Sequence, residues 1–263
     1  MAIHKLISIA YSHYNEQARW VLDHFSVPYR EKAYLPILHF LPVMLATLGR
    51  GVGKADSVST RFSTPLLITD SGRRIADSRE IMRYVSDRFS KAETNLYPHE
   101  EVQRLQNQFH DQLGPATRRI VYYYLLPDQK FSDELVKNTV SYPQWLISKI
   151  FGKIAAKTIA QKLNVNSKSV LRAVETVQRE FDQVGKRLQN RKYLSGDRLS
   201  AADISFACLA CPALWITKAD GHPVIPEQKH PLPKPLADLA RKLRQTEAGK
   251  FALRMFREER GTR

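Results

Sequence analysis

Three short stretches of this 263-residue chain hold residues whose types and spacing suit chemistry. The first is YSHYNEQAR, residues 11–19, where Ser12 stands between an apolar run and a helical pattern. A helix N-terminus offers unpaired N–H groups and the positive end of a dipole. A hydroxyl there can donate to a thiolate and lower a thiol's pKa. Tyr11 and Tyr14 flank it with two more hydroxyls. The same serine also reads as an ordinary helix cap. The second stretch begins at Thr64-Pro65, where a proline opens an apolar strand. Proline fits a central strand only at its start or in unusual geometry. A cis bond there would present the N–H and C=O of Thr64 to a peptide-like ligand. The third is Asp77-Ser78-Arg79-Glu80, a capping-box-like helix start. Its N-terminus and the Ser78 hydroxyl suit a carboxylate, and Asp77 suits an ammonium. Simple capping explains each half of this motif alone.

These residues need elements to hold them. Apolar periodicity predicts a strand over residues 3–10, a helix over 15–25, a strand over 27–34 and a helix over 37–48. A Gly- and Ser-rich loop, RGVGKADSVSTRFS, follows. TPLLITD and RIA then read as strands around a tight turn, and DSREIMRYVSDRF as a helix. The order β-α-β-α-β-β-α makes the first strand pair parallel and the last a hairpin. After a polar linker at 91–99, residues 100–263 read as helical. Helices are expected over 100–126, kinked at Gly114-Pro115, and over 132–164, broken near Pro143. Others are expected over 167–190, 200–218 and 233–259. Within GDRLSAADISF, Ser200 and Asp203 form a capping box with a Leu199–Ile204 staple, which is a folding signal.

Composition narrows the classes. Hydrophobic residues make up 43% and charged residues 25%, a globular balance. No apolar run reaches the roughly 20 residues of a membrane-spanning helix, and the first residues carry no secretion-signal pattern. Two cysteines exclude a disulfide framework. Cys208 and Cys211 lie inside an apolar helix, so they read as buried small hydrophobes. The histidines show no metal-ligand spacing. The formal charge is +15. Residues 1–90 hold 12 bases and 8 acids, whereas 137–192 hold 12 bases and only 3 acids. Lys149, Lys153 and Lys157 form one stripe there beside Ile150, Phe151 and Ile154. Such a helix reads as a solvated face packed on its own domain, or as a surface for an anionic membrane. No nucleic-acid module is present in the pattern.

The chain resembles the glutathione transferases over essentially its whole length. The motifs that carry the resemblance are the strand–Ser12–helix turn with Arg19 seven residues on, Thr64-Pro65, Asp77-Ser78, and Gly196 followed by Ser200-Ala201-Ala202-Asp203-Ile204. The resemblance implies an α/β thioredoxin-like N-terminal domain (1–90) and an all-α C-terminal domain (100–263). It implies that Ser12, or Tyr11 or Tyr14, activates the thiol of glutathione. It also implies that Thr64 pairs with the cysteinyl part beside Pro65, and that Asp77-Ser78 holds the γ-glutamyl end. Arg61 is the nearest cation for the glycine carboxylate. The expected activity is transfer of glutathione to a hydrophobic electrophile or reduction of a peroxide, with Tyr122, Tyr123, Tyr124 and Trp145 as pocket candidates. Glutathione is then a co-substrate, with no permanent cofactor, in a cytoplasmic homodimer serving detoxification. Departures are His13, where proline is usual, and a loop before Pro65 without Asn-Pro-x-Gly-Lys. The alternative is a non-catalytic interaction protein of the same fold, associated with a membrane surface.

Overall fold

Leu6, Leu66 and Leu67 are fully buried at the middle of a four-stranded sheet, and that sheet organises the first of two compact units, residues 1–96 and 97–263. The computed structural model describes residues 3–52 and 61–261. Most of the loop expected before Pro65, residues 53–60, lies outside them. Strand β1 (His4–Ile9) pairs in parallel with β2 (Tyr29–Tyr34) and antiparallel with β3 (Leu66–Ile68), which pairs antiparallel with β4 (Arg74–Ala76). The order is β2-β1-β3-β4. β2 is an edge, which suits its charged middle, Arg30, Glu31 and Lys32. Helix α1 (His13–His24) is the crossover between β1 and β2.

Alternation along the strands loads both faces of the sheet. Ile7 and Leu66 meet Val43 and Phe62 on one face, where α2 (Phe40–Ala46) packs. Leu6 and Leu67 point the other way, toward α1 and α3 (Ser78–Phe89). Those two helices pack against each other, and Ala18, Val21 and Leu22 of the first and Ile81, Met82 and Val85 of the second are all fully buried. Helices on both faces of a small mixed sheet make this the thioredoxin-like arrangement. The expected element order is present, with α2 shorter than the 37–48 reading because residues 36–39 form turns.

The second unit is helical. Helix α4 (Glu100–Gln108) runs through a π-helical turn, Phe109–Leu113, into α5 (Gly114–Leu125). The expected interruption is therefore real, but it falls just before Gly114-Pro115. Helices α6 (Gln129–Thr139) and α7 (Tyr142–Lys162) form a hairpin, with Pro143 in the first turn of α7 where its missing N–H costs nothing. Helix α8 (Ser167–Arg187) follows, then α9 (Ala201–Leu214), which has thirteen of its fourteen residues buried. Phe206 of α9 meets Phe109, Phe181 and Phe251, and the Leu209 carbonyl accepts from Thr117 at 2.8 Å. Cys208 and Cys211 are buried inside this helix, as small core residues.

The single helix expected over 233–259 is instead two, α10 (Lys234–Gln245) and α11 (Glu247–Arg254), followed by a π turn. Thr246 breaks the run: it is extended, and its hydroxyl accepts from Gly249 N–H at 3.0 Å as the cap of α11. Gly249 is required there, because a Cβ would lie 1.9 Å from the Leu243 carbonyl oxygen.

Candidate functional site

Strand register brings the three chemical stretches to one end of the sheet. Ile7 pairs with Leu66 and Leu66 with Ala76. The C-terminal end of β1, the start of β3 and the C-terminal end of β4 therefore lie side by side. Ser12 follows the first, Thr64-Pro65 precedes the second and Asp77-Ser78 follows the third. The Thr64–Pro65 bond is cis.

Ser12 is the N-cap residue of α1, and its backbone closes both sides of the turn: N–H to Ile9 O at 3.1 Å, C=O from Glu16 N–H at 3.0 Å. Its side chain makes no capping bond. The capping reading of its hydroxyl is therefore not what the fold uses. Asn15 does the work of binding the turn, as its amide oxygen accepts from Ile9 N–H at 3.4 Å. Asn15 Nδ2 also reaches Thr64 Oγ1 in a long contact of 3.5 Å, joining the Ser12 turn to the Thr64 segment. Tyr11 and Tyr14 are half-buried beside Ser12, and the Tyr14 ring leans on His13 with centroids 4.5 Å apart.

Beneath this turn lies a buried charge network. Arg19 is 3% exposed; it donates to Glu31 Oε1 at 2.9 Å, to Glu16 Oε2 at 3.0 Å and to the Ile9 carbonyl at 3.3 Å. Ser8 Oγ donates to the same Glu31 oxygen. Burial disfavours the guanidinium charge, but Glu31 and Glu16 outweigh it and hold Arg19 firmly protonated. The network ties β1, α1 and β2 together directly under the end of β1 that carries Ser12.

At α3, Asp77 behaves first as a cap. Its Oδ1 accepts from Arg79 N–H at 2.8 Å and its Oδ2 pairs with Arg79 Nη2 at 2.9 Å. Asp77 nonetheless has φ +73°, a region that a non-glycine residue occupies at a cost of roughly 1–3 kcal/mol. Ser78 is 1% exposed, and its hydroxyl oxygen has no hydrogen-bond partner among the described residues. Arg61 is turned elsewhere: its Nε donates to the Arg50 carbonyl at 2.8 Å and its guanidinium lies over the Phe62 ring.

Sequence reasoning named Arg19 but missed its partners Glu16 and Glu31, and missed Asn15. The available signal was a Glu–Arg pair at i, i+3 on the apolar side of α1, where solvated charges do not belong. It also missed His39, which precedes α2. Burial pushes the His39 ring down to about 4, against a hydrogen bond with the Leu35 carbonyl that favours the proton. In the second unit, Tyr122, Tyr123 and Tyr124 are half-buried on α5, and Trp145 donates to Asp133 at 3.0 Å within the α6–α7 hairpin.

Comparison with known proteins agrees with this architecture. Residues 144–234 match the family model "Glutathione S-transferase, C-terminal domain". No curated protein matches the chain by sequence. Among solved structures, a glutathione transferase of Phanerochaete chrysosporium is similar at TM-score 0.60 and 15% identity, covering 98% of this chain and 96% of its own. A glutathione S-transferase of Ceriporiopsis subvermispora, solved with glutathione, is similar at TM-score 0.58 and 17% identity, covering 96% and 95%. One of Methylobacillus flagellatus, also with glutathione bound, reaches TM-score 0.51 at 15% identity, covering 95% and 98%. At such identities the likeness shows the fold. The chain thus has the glutathione S-transferase fold, a thioredoxin-like unit followed by an all-helical one, and its residues 144–234 match the model of that family's C-terminal domain.

Proposed function

We propose that the protein is a glutathione-dependent enzyme whose thiol site lies at the end of the first unit's sheet, where Ser12, Thr64-Pro65 and Asp77-Ser78 converge. The observation that carries this reading is the Ser12 hydroxyl: it sits at the N-terminus of α1 and is not spent on capping that helix. Glutathione binds extended beside Thr64. Its γ-glutamyl carboxylate meets the N-terminus of α3 and the unpartnered Ser78 hydroxyl, and its ammonium meets Asp77. The strained backbone of Asp77 supports this assignment, since such outliers persist where function over-determines the conformation.

Ser12 then donates to the glutathione sulfur, and the α1 dipole adds to the preference for thiolate. The thiolate attacks an electrophilic carbon, displacing a leaving group, or a peroxide oxygen, breaking the O–O bond with loss of the alcohol and leaving a glutathione sulfenic acid that a second glutathione converts to the disulfide and water. Tyr11 and Tyr14 stand close enough in sequence to take the donor role in place of Ser12. Arg61 serves the glycine carboxylate only by leaving the Arg50 carbonyl. The glutathione-bound structures of the same fold support the ligand. A homodimer is part of the proposal, supported by the exposed apolar row Leu41, Leu45 and Leu48 on and after α2. So is a cytoplasmic setting, which suits a thiol co-substrate and two free cysteines.

The test is the ultraviolet absorbance of the bound thiolate, titrated with pH, in the wild type and in Ser12→Ala. A hydrogen bond to a charged group is worth about 1.5–3 kcal/mol. Its loss should move the thiol titration up by about one to two pH units, since one unit is about 1.4 kcal/mol. An unmoved titration would pass the role to Tyr11 or Tyr14, and no thiolate signal in the wild type would refute the enzyme reading.

A further inference from the structure

Helix α7 has 21 residues and none is buried. Its side against the rest of the unit carries mostly short or polar groups, Ser148, Gly152, Ala155 and Ala156, and its packing partner is α6. Of its large apolar side chains, Trp145 and Ile159 are half-buried and the others point out. Leu146, Ile150 and Ile154 form a row at steps of four, with Ile150 65% and Ile154 67% exposed. Ile147 and Phe151, 39% and 55% exposed, widen that row on one flank. On the other flank stand Lys149, Lys153 and Lys157, and α7 contains no Asp or Glu. Lys149 is paired with Asp133 at 2.8 Å; among the described residues Lys153 and Lys157 make no ion pair. The lysine stripe is a solvated face, as expected, but the apolar row is solvated as well, where a helix packed on its own domain turns that row inward.

We infer that α7 is an interfacial helix that lies flat on an anionic lipid bilayer, burying the Leu146–Ile150–Ile154 row among the acyl chains while its lysines meet the lipid phosphates and carboxylates. Such helices combine an apolar face with a cationic flank and gain from both. Lysine stems suit this arrangement, since they run along apolar surface while the ammonium stays at the headgroups. Among the described residues no helix is long and apolar enough to cross a membrane, so α7 rests on the bilayer rather than spanning it. Charge selects the occupant. A second copy of the chain brings the same three lysines and no carboxylate on this helix to receive them, whereas an anionic leaflet receives them all.

The test is co-sedimentation of the full-length protein with vesicles of phosphatidylcholine alone and of phosphatidylcholine mixed with phosphatidylserine. Binding should be confined to the mixed vesicles and weaken as salt is raised. Each lysine near the surface contributes about a five-fold factor, so Lys149→Gln/Lys153→Gln/Lys157→Gln should lose about 100-fold in partition. Ile150→Ser/Ile154→Ser should lose binding to a similar extent while keeping its helical circular dichroism, since both side chains are exposed. A Phe151→Trp reporter should show a blue-shifted emission with mixed vesicles only. Equal binding to neutral vesicles, no binding, or binding unchanged by both sets of substitutions would overturn the proposal. So would a dimer that the isoleucine variant dissociates. None of these readouts involves glutathione, so this inference and the thiol-site reading stand or fall separately.

Discussion

Asp77 carries two duties that one substitution can separate. As a cap it satisfies the Arg79 N–H; as a ligand it would receive an ammonium. Glycine at an N-cap costs only a few tenths of a kcal/mol and is at ease at φ +73°. Asp77→Gly should therefore unfold within about 0.5 kcal/mol of the wild type in urea. Its glutathione affinity should nonetheless drop at least about ten-fold, the effect of losing a charged partner worth about 1.5–3 kcal/mol. Unchanged affinity in that variant would reduce Asp77 to a cap. Arg19 makes the opposite kind of prediction. Arg19→Met leaves Glu16, which is buried, without its cation, and should cost about 3–5 kcal/mol of stability. A loss below 1 kcal/mol in denaturant melts would mean that the network does not hold the turn. At this scale the placement of Ser12, Thr64, Pro65, Asp77 and Ser78 at element ends was legible, because helix starts and strand-opening prolines leave marks in short sequence. Asn15, Glu16 and Glu31 were not, because their roles depend on partners across the sheet or on which side of α1 is buried.

At the level of elements, the start of α9 is the best-specified join. Asp203 accepts from Leu194 N–H at 2.7 Å, Ser200 N–H at 2.8 Å and Ser200 Oγ at 2.5 Å. Burial nevertheless dominates and pushes its carboxyl up to about 6. A carboxyl raised in the folded state binds its proton more tightly there than in the unfolded chain. Its contribution is therefore largest below about pH 4 and is lost as pH rises through about 6. Asp203→Asn should be less stable than the wild type at low pH by about 1–3 kcal/mol: the protonated Oδ2 donates to Ser200 Oγ and still accepts from Ser200 N–H, whereas an amide NH2 in its place cannot accept from that N–H. That gap should narrow between pH 4 and 6 and stay level above. Urea midpoints for both proteins across this range check it, and a gap that widens with pH would reverse the sign assigned to burial. The capping box of α9 and the period of α8 were readable locally. The split between α10 and α11 was not, since it turns on the approach of Gly249 to the Leu243 carbonyl. Nor was the outward apolar row of α7: periodicity reports that a helix has an apolar stripe, and only the fold shows which way that stripe faces.

For the whole molecule, the order β-α-β-α-β-β-α and the helical second unit followed from periodicity, because most elements bury an apolar stripe of their own, α7 being the exception. The +15 charge resolves by region. The first unit's modest excess suffices for a tripeptide anion, and the lysines of α7 belong to a different surface. The exposed row at Leu41, Leu45 and Leu48 should make the protein a dimer in sedimentation equilibrium, and Leu45→Glu/Leu48→Glu should yield monomers. A wild-type monomer at micromolar concentration would remove the dimer from the proposal. The most direct measurement is titration calorimetry of the wild-type protein with glutathione at millimolar concentration, with Ser78→Ala beside it. The account predicts saturable binding in the wild type and a clear loss of affinity in Ser78→Ala. No heat of binding at millimolar glutathione would contradict it.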